Sequence, residues 1–229
     1  MNKKIIVALD LNNIDKAVKL VKKLKEEVYA FKIGYEFFYN FGINGYKKIY
    51  NIYPRIFLDL KLHDIPNTVH KGLNAISKLN PIFTTIHISG GDEMQKISAS
   101  KNNKKTNILG VTVLTSLDEK QTLKYYKEKN VNILVKKFAS YAKKNNLNGL
   151  VCSPLEIKVV RKEVGKKMIL VVPGIRPEKK PLSIKDDQKR TLTPKEAINL
   201  GADFLVIGRP IIKSKNPLET IKKINQSIQ

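Results

Sequence analysis

The chain has 229 residues, a formal net charge of +23 and a single cysteine, Cys152. One cysteine excludes an internal disulfide framework and fits a reducing compartment, and no apolar run approaches the roughly 20 residues of a membrane span. The first residues, MNKKIIVALD, enter an apolar strand pattern without the features of a signal peptide. We therefore expect a cytoplasmic protein with one domain over residues 1–229.

Eight short apolar segments, rich in β-branched residues, alternate with helical patterns. In chain order they are IIVAL at 5, YAFKI at 29, IFLDL at 56, FTTIHI at 83, ILGVTVL at 108, GLVC at 149, MILVV at 168 and FLVIG at 204. Strands that are apolar on both faces belong to parallel sheets covered by helices, and amphipathic stretches such as residues 14–26 imply βαβ units. Eight repeats predict an α/β fold of the (β/α)8 TIM barrel type. An open doubly wound sheet fits less well, because it usually carries a glycine-rich turn after its first strand.

Polar or conformationally special residues follow or end nearly every predicted strand. They are Asp10, Lys32, Asp59, Lys61, His87, Thr115, Ser153, Gly174, Gly208 and Arg209. A barrel brings all of these strand ends to one face, where barrel enzymes carry their active sites. The alternative is that polar residues merely terminate the strands.

The third predicted strand, in IFLDLKLHD, argues for function. Side chains two apart share a face of a strand, so Leu58 and Leu60 point one way and Phe57, Asp59 and Lys61 point the other. If the leucines meet the helices, the two charges point into the barrel. Burying a carboxylate and an ammonium adds little stability compared with apolar packing, so we expect this pair to be functional.

Other polar residues nearby are ambiguous on sequence alone. Asp64 precedes a predicted helix and could cap its free amides, and Lys32 could be one more surface lysine except for its apolar neighbours in YAFKIG. The histidines, His63, His70 and His87, show no metal-ligand spacing, so we expect structural roles and no metal site. Cys152 lacks a partner that would mark it as a nucleophile, which favours core packing.

The last two predicted strands carry a different pattern, VVPGIRP and VIGRP, in which an arginine follows a glycine within two residues. Glycine allows the backbone to approach a ligand closely, and arginine offers a planar fork for phosphate. Loops after the seventh and eighth strands are the usual phosphate site of barrels, so a phosphorylated small molecule is the expected ligand.

The strong positive charge invites a nucleic-acid interpretation. However, the lysines are scattered along helical stretches such as KAVKLVKKLKEE, and they come with abundant Asn and Ile, as in proteins from AT-rich coding sequences. A solvated surface is therefore favoured, and no nucleic-acid partner is expected. A basic nucleic-acid-binding protein on a barrel scaffold remains the alternative of a different class.

The motifs together resemble the bacterial orotidine 5'-phosphate decarboxylase family. The match runs in order through VALD, FKIG, FLDLKLHDIPNT, HISGG, GVTVLTS, GLVCS, VPGIRP and LTPKEAINLGADFLVIGRP, which covers almost the whole chain. The resemblance implies metal- and cofactor-free decarboxylation of orotidine 5'-monophosphate to uridine 5'-monophosphate in pyrimidine biosynthesis, with Lys61 protonating C6.

The resemblance also implies roles for individual residues. Lys32, Asp59, Lys61 and Asp64 match the family's charged tetrad. Asp64 and Thr68 would reach the site of the neighbouring subunit in a homodimer, and Asp10 and Lys32 would hold the ribose hydroxyls. Thr115 would meet the pyrimidine edge, and Ile65 belongs to the substrate-binding DIPNT segment. The expected phosphate ligands are Arg176, Gln188, Gly208 and Arg209.

The nearest rivals are sugar-phosphate decarboxylases and aldolases of the same barrel group, such as keto-gulonate phosphate decarboxylase and hexulose phosphate synthase. They share a D-x-K-x-x-D strand but use magnesium. Thr115 and the DIPNT segment favour the pyrimidine substrate.

Overall fold

A computed structural model describes residues 3–100, 106–177 and 191–229. Each strand pairs in parallel with the next along the chain, and the last pairs with the first, so the sheet closes into a barrel. The predicted α/β barrel and all eight predicted strands are confirmed. The strands are β1 (Ile5–Ala8), β2 (Ala30–Ile33), β3 (Ile56–Leu62), β4 (Phe83–His87), β5 (Asn107–Val111), β6 (Gly149–Val151), β7 (Ile169–Val172) and β8 (Phe204–Ile207).

The helices of the described residues cover the outside of the barrel. They are α1 (Ile14–Leu24), α2 (Tyr35–Tyr50), α3 (Pro66–Ser77), α4 (Gly91–Ser100), α5 (Glu119–Tyr126), α6 (Val131–Lys144), α7 (Ile157–Val164), α8 (Pro194–Asn199), α9 (Arg209–Ile212) and α10 (Pro217–Ser227). Helix α1 shows why they form: Asn13 caps its first turn, and Ala17, Val21 and Leu24 make one buried stripe. None of the helices in the described ranges is long and apolar enough to cross a membrane.

Alternation along the strands divides the core into two layers. Ile5 and Val7 face outward and pack with the helices, whereas Ile6 and Ala8 belong to a separate cluster inside the barrel. Both layers are almost fully excluded from solvent. The large outer layer supplies most of the apolar burial, which is the dominant favourable term in folding.

Aromatic rings fill the amino-terminal end of the barrel. The rings of Tyr29 and Phe204 stack with their centroids 4.0 Å apart, and Phe83 lies 5.6 Å from Phe204 and 5.8 Å from Phe57. The guanidinium of Arg55 covers the Tyr29 ring at 4.1 Å. These rings pack closely enough to fill the barrel interior at this end.

Arg161 ties the loops together at the amino-terminal end. Its guanidinium donates hydrogen bonds to the backbone oxygens of Gly165, Met168 and Gly201 and pairs with the Asp203 carboxylate at 2.7 Å. Arg55 and Arg161 therefore have structural contacts at the end of the barrel opposite to the other described arginines.

Candidate active site

A cavity of about 680 Å³ opens at the carboxyl ends of the strands. It contains most of the residues predicted from strand ends and from the resemblance. Those that line it are Asp10, Lys32, Asp59, Lys61, Thr115, Arg176, Gly208 and Arg209. Gln188 lies outside the described residues.

An alternating row of charges crosses the floor of the cavity. Lys32 Nζ lies 3.3 Å from Asp10 Oδ1 and 3.8 Å from Asp59 Oδ2, and Lys61 Nζ lies 2.9 Å from the same Asp59 oxygen. Thr85, on the neighbouring strand β4, donates a hydrogen bond of 2.9 Å to Asp59 Oδ1. Both oxygens of Asp59 are therefore engaged.

Asp59 is the buried centre of this row, with 8% of its surface exposed. Burial acts to raise the pKa of its carboxyl group, but the ammonium groups of Lys32 and Lys61 and the hydrogen bonds from Lys61 and Thr85 outweigh it. The pKa is therefore held below its usual value, and Asp59 is a carboxylate at neutral pH. A charge kept ionised inside a barrel marks a functional site rather than a stabilising one.

Strand β3 departs from regular geometry at the charged residues. Phe57 faces the interior and Leu58 the helices, as predicted, but the pairing with β4 shifts between Leu58 and Leu62. Lys61 has a φ of 42°, which is uncommon for a residue with a side chain. Such strain persists where the surroundings impose it and is frequent at active sites.

Two glycines lie beside the charged row. A methyl group on Gly34 would lie 2.8 Å from Lys32 Nζ, and one on Gly208 would lie 3.5 Å from Asp10 Oδ2. Gly34 follows β2 directly and Gly208 follows β8, so both flank the row where a ligand would sit. We expect the contact at Gly34 to be the less tolerant, because Lys32 is also held by two carboxylates.

The end of the cavity formed after β7 and β8 is basic. Arg176, Arg209 and Lys213 line it together with Gly174 and Gly208. The Arg176 amide donates to Leu192 O at 3.0 Å, which closes the loop after β7 onto the chain before α8. Two arginines beside glycines form the chemistry expected for a phosphate.

The DIPNT segment lies on another side of Lys61. Asp64, Thr68 and Lys61 line a second pocket of about 460 Å³, and Asp64 and Thr68 do not line the main cavity. Ile65 is 67% exposed. The interpretation of Asp64 as a helix cap is wrong: Ile65 occupies the N-cap position of α3 without a side-chain bond, and Asp64 Oδ1 accepts only from the adjacent Ile65 amide among the described contacts.

The histidines and the cysteine contact structural neighbours. The rings of His63 and His87 lie 5.2 Å apart, and burial, His63 and Lys61 lower the pKa of His87 to about 4 despite the Asp59 charge. Among the described residues, no group of three or more His, Cys, Asp or Glu side chains could hold a metal ion. Cys152 is buried, and burial raises the pKa of its thiol, which makes it an unreactive part of the wall.

Sequence reasoning missed two residues of the site, Thr85 and Glu36. Thr85 shares the inward face of β4 with Phe83, and this period-two relation could have indicated it. Glu36 lines the cavity from the first turn of α2. Threonine is common in strands because of its β propensity, so the presence of a threonine at position 85 did not by itself indicate a functional residue.

Comparisons with known proteins show which family the chain is similar to. The model of the orotidine 5'-phosphate decarboxylase / HUMPS family matches residues 3–224. An orotidine 5'-phosphate decarboxylase of Wolbachia sp. subsp. Brugia malayi is 44% identical over 98% of both chains, and one of Staphylococcus saprophyticus is 40% identical over 97% of this chain and 96% of its own. The crystal structure of orotidine 5'-phosphate decarboxylase from Lactobacillus acidophilus superposes with a TM-score of 0.83, at 35% identity and 99% coverage of both chains.

Proposed function

The chain belongs to the orotidine 5'-phosphate decarboxylase family and is a carboxy-lyase, and from this premise we propose the chemistry by which it acts. It converts orotidine 5'-monophosphate to uridine 5'-monophosphate and CO2 without metal or cofactor, and Lys61 protonates C6. Residues 1–229 act as one catalytic domain. The observation that carries the proposal is the buried Asp59 carboxylate held between two lysines.

The shape of the cavity orients the substrate. Its phosphate meets Arg176, Gly208 and Arg209, with Gln188 as a further ligand. Its ribose hydroxyls meet Asp10 and Lys32, which lie 3.3 Å apart at the rim of the charged row. These contacts place the pyrimidine over Asp59 and Lys61, with Thr115 at its edge, and they place the carboxylate that leaves against Asp59.

The size of each electrostatic interaction indicates which residue lowers the activation barrier most. Two like charges about 4 Å apart repel by roughly 4 kcal/mol at an effective dielectric of 20, so repulsion by Asp59 supplies only a part of the effect. Enzymes typically lower barriers by about 8–23 kcal/mol. The larger share therefore comes from the Lys61 ammonium, which stabilises negative charge as it develops at C6.

The chemical step uses groups that are already in place. The bond between C6 and the carboxyl carbon breaks, the electron pair stays on C6, and CO2 leaves. Lys61 Nζ then gives a proton to C6 and is reprotonated from solvent. Asp59 holds this ammonium at 2.9 Å before the reaction, which fixes its position without further reorganisation.

Metal independence has support in the contacts of Asp59. Its oxygens accept from Thr85 and Lys61 and lie beside Lys32, so a divalent cation would have to displace two ammonium groups. Turnover of orotidine 5'-monophosphate, followed by the loss of orotidine absorbance with excess EDTA, tests this. We expect unchanged activity. No turnover of this substrate, or turnover that needs added Mg²⁺, would refute the proposal, and magnesium-dependent turnover of a sugar phosphate would identify a rival of the same barrel group.

We propose that the working unit is a homodimer in which Asp64 and Thr68 complete the neighbouring site, with Ile65 beside them. Asp64 is exposed and, in the described part of the chain, no ion pair joins it to a lysine. The surface near it is apolar: Ile65 is 67% exposed, and Tyr39, stacked on Tyr35, is 78% exposed. An exposed apolar patch beside a site is typical of an interface.

Mixing two inactive variants, Lys61→Ala and Asp64→Ala, tests the shared site. Half of the dimers are then hybrids with one intact site of two, so we expect roughly one quarter of the wild-type activity. Mixing Lys61→Ala with the double variant Lys61→Ala, Asp64→Ala is the control, and it should restore nothing. Absence of recovery despite proven subunit exchange would contradict the dimer proposal.

We also propose a cytoplasmic location, which the free, buried Cys152 supports because such thiols persist in reducing compartments. Cell fractionation with an antibody against the chain tests it, and recovery in a secreted or membrane fraction would contradict it.

A further inference from the structure

Thr85 links both ends of Lys61 to one carboxylate. The Lys61 amide donates to Thr85 Oγ1 at 2.9 Å, and Thr85 Oγ1 donates to Asp59 Oδ1 at 2.9 Å. The other Asp59 oxygen, Oδ2, accepts from Lys61 Nζ at 2.9 Å. The backbone amide and the ammonium of Lys61 are therefore joined through Asp59 and Thr85 in one closed ring of hydrogen bonds. Thr85 is the one member of this ring that lies on another strand, β4.

The position of Thr85 in the sheet explains this arrangement. Leu58 pairs with Thr84 and Leu62 pairs with Ile86, so three residues of β3, 59–61, lie opposite the single residue Thr85. Because of this mismatch, no backbone carbonyl of β4 accepts the hydrogen bond of the Lys61 amide, and the Thr85 hydroxyl accepts it instead. It thereby satisfies the donor that the unusual backbone conformation of Lys61, with φ at 42°, leaves without a ladder partner.

We propose that Thr85 is a positioning residue for the decarboxylation, a role that rests on the proposed function. Its hydroxyl holds the Lys61 backbone in the strained conformation and orients the Asp59 carboxylate that holds the ammonium. Thr85 is fully buried and does not line the cavity, so it acts through Asp59 and Lys61 and not on the substrate.

Strand β4 supplies a matched control in Thr84. Thr84 is also fully buried, but alternation turns it toward the helices, and its hydroxyl has no hydrogen-bond partner among the described residues. Thr85→Val and Thr84→Val remove the same atoms one residue apart. Only the first removes hydrogen bonds that reach Lys61.

Steady-state kinetics of the two valine variants and of Thr85→Ser test the proposal. Because a misplacement of about 1 Å can cost on the order of 100-fold in rate, we expect Thr85→Val to lower kcat by roughly 10- to 100-fold with little change in KM. Thr85→Ser should restore most of the loss, and Thr84→Val should keep the wild-type kcat. If Thr85→Val does not fold, Thr85→Ala removes the hydroxyl with less crowding and carries the same expectation.

A second readout does not depend on turnover. Carboxyl NMR titration should show Asp59 protonating at higher pH in Thr85→Val than in wild type or Thr84→Val, because the carboxylate loses a donor that favours its charged form. An unshifted Asp59 titration or a wild-type kcat in Thr85→Val would overturn the proposal, and so would equal losses of kcat in both valine variants. An inactive wild type with a shifted titration would refute the proposed function and leave the hydrogen-bond role standing.

Discussion

The two ends of the barrel interior are both lined by the inward-facing side chains of the strands, but these side chains differ in kind between the ends. Strand β2 follows Tyr29 at the amino-terminal end and carries Lys32 at the other, and β4 begins with Phe83 at the amino-terminal end and carries Thr85 nearer the carboxyl end. At the amino-terminal end the inward side chains are aromatic, and the centroids of neighbouring rings lie 4.0–6.1 Å apart. At the carboxyl end they are charged and surround a cavity. The aromatic residues that stabilise the barrel and the proposed catalytic residues thus lie at opposite ends of one interior.

Arginine shows the difference most clearly. Arg161 has its donors committed to backbone oxygens and to Asp203, so its guanidinium acts as a structural clamp. Arg176 and Arg209 instead line the cavity beside glycines. The same planar fork therefore serves the fold at one end and, in the proposed function, binds the substrate phosphate at the other. Substitutions at the amino-terminal end should therefore lower stability, and substitutions at the carboxyl end should lower activity.

The largest expected effect is at the charged end. Lys61→Ala should lower kcat at least about 10⁴-fold, because it removes both the charge that stabilises the carbanion and the proton donor. Urea unfolding should give a free energy of unfolding close to that of wild type. Lys78→Ala, which removes an exposed lysine after α3 at the opposite end, serves as the control and should keep full activity. Near-normal turnover by Lys61→Ala would remove the basis of the mechanism.

At the apolar end, Phe204→Ala should lower the free energy of unfolding by about 3 kcal/mol, the low end of the range for such truncations because the ring is partly exposed. The stacking on Tyr29 would be lost. Measured below its unfolding transition, the variant should keep the wild-type kcat. A loss of kcat without a loss of stability would show that the ends are not separate.

Arg161→Lys should lower the free energy of unfolding by about 2 kcal/mol, since lysine cannot reproduce hydrogen bonds to several carbonyl oxygens at once. Thermal unfolding with activity measured on the same sample would check this. A stability equal to that of wild type would mean that the clamp contributes little.

Arg209→Lys is the matching change at the other end. We expect KM for orotidine 5'-monophosphate to rise roughly tenfold, about 1.4 kcal/mol, with unchanged stability. Orotidine without its phosphate should react equally slowly with the variant and with wild type. If the variant also slowed that truncated substrate, Arg209 would be acting on something other than the phosphate.

The smallest expected effect concerns pH. Burial, His63 and Lys61 lower the pKa of His87 from its ordinary 6.5 to about 4 in the folded protein, so acid between these pH values favours the unfolded chain. The contribution is complete above pH 6.5 and declines toward pH 4, by on the order of 1 kcal/mol after allowing for partial exposure. His87→Gln should flatten this slope in urea titrations at pH 7 and pH 4.5. An unchanged slope would place the titration elsewhere.

The sequence predicted the fold because each strand is a short apolar run and the strand ends carry the polar residues. It predicted most of the cavity for the same reason, since a closed parallel sheet brings Asp10, Lys32, Asp59 and Arg209 to one face without any knowledge of their contacts. Periodicity also gave the inward direction of Phe57.

Local irregularity and a second subunit limit such predictions. A period of two assumes a regular ladder, so the three-to-one pairing at residues 59–61 and the positive φ of Lys61 could not be anticipated. The role proposed for Thr85 depends on that irregularity. Asp64 lies outside the main cavity within one chain, so its proposed role requires a partner that neither alternation nor burial reveals.

The most direct test of whether the two ends have separate roles is to measure both kcat and the free energy of unfolding on the same preparations of Lys61→Ala and Phe204→Ala. The account predicts a crossed result: Lys61→Ala loses turnover and keeps its stability, whereas Phe204→Ala loses stability and keeps its turnover. Parallel losses of both quantities in each variant would contradict it.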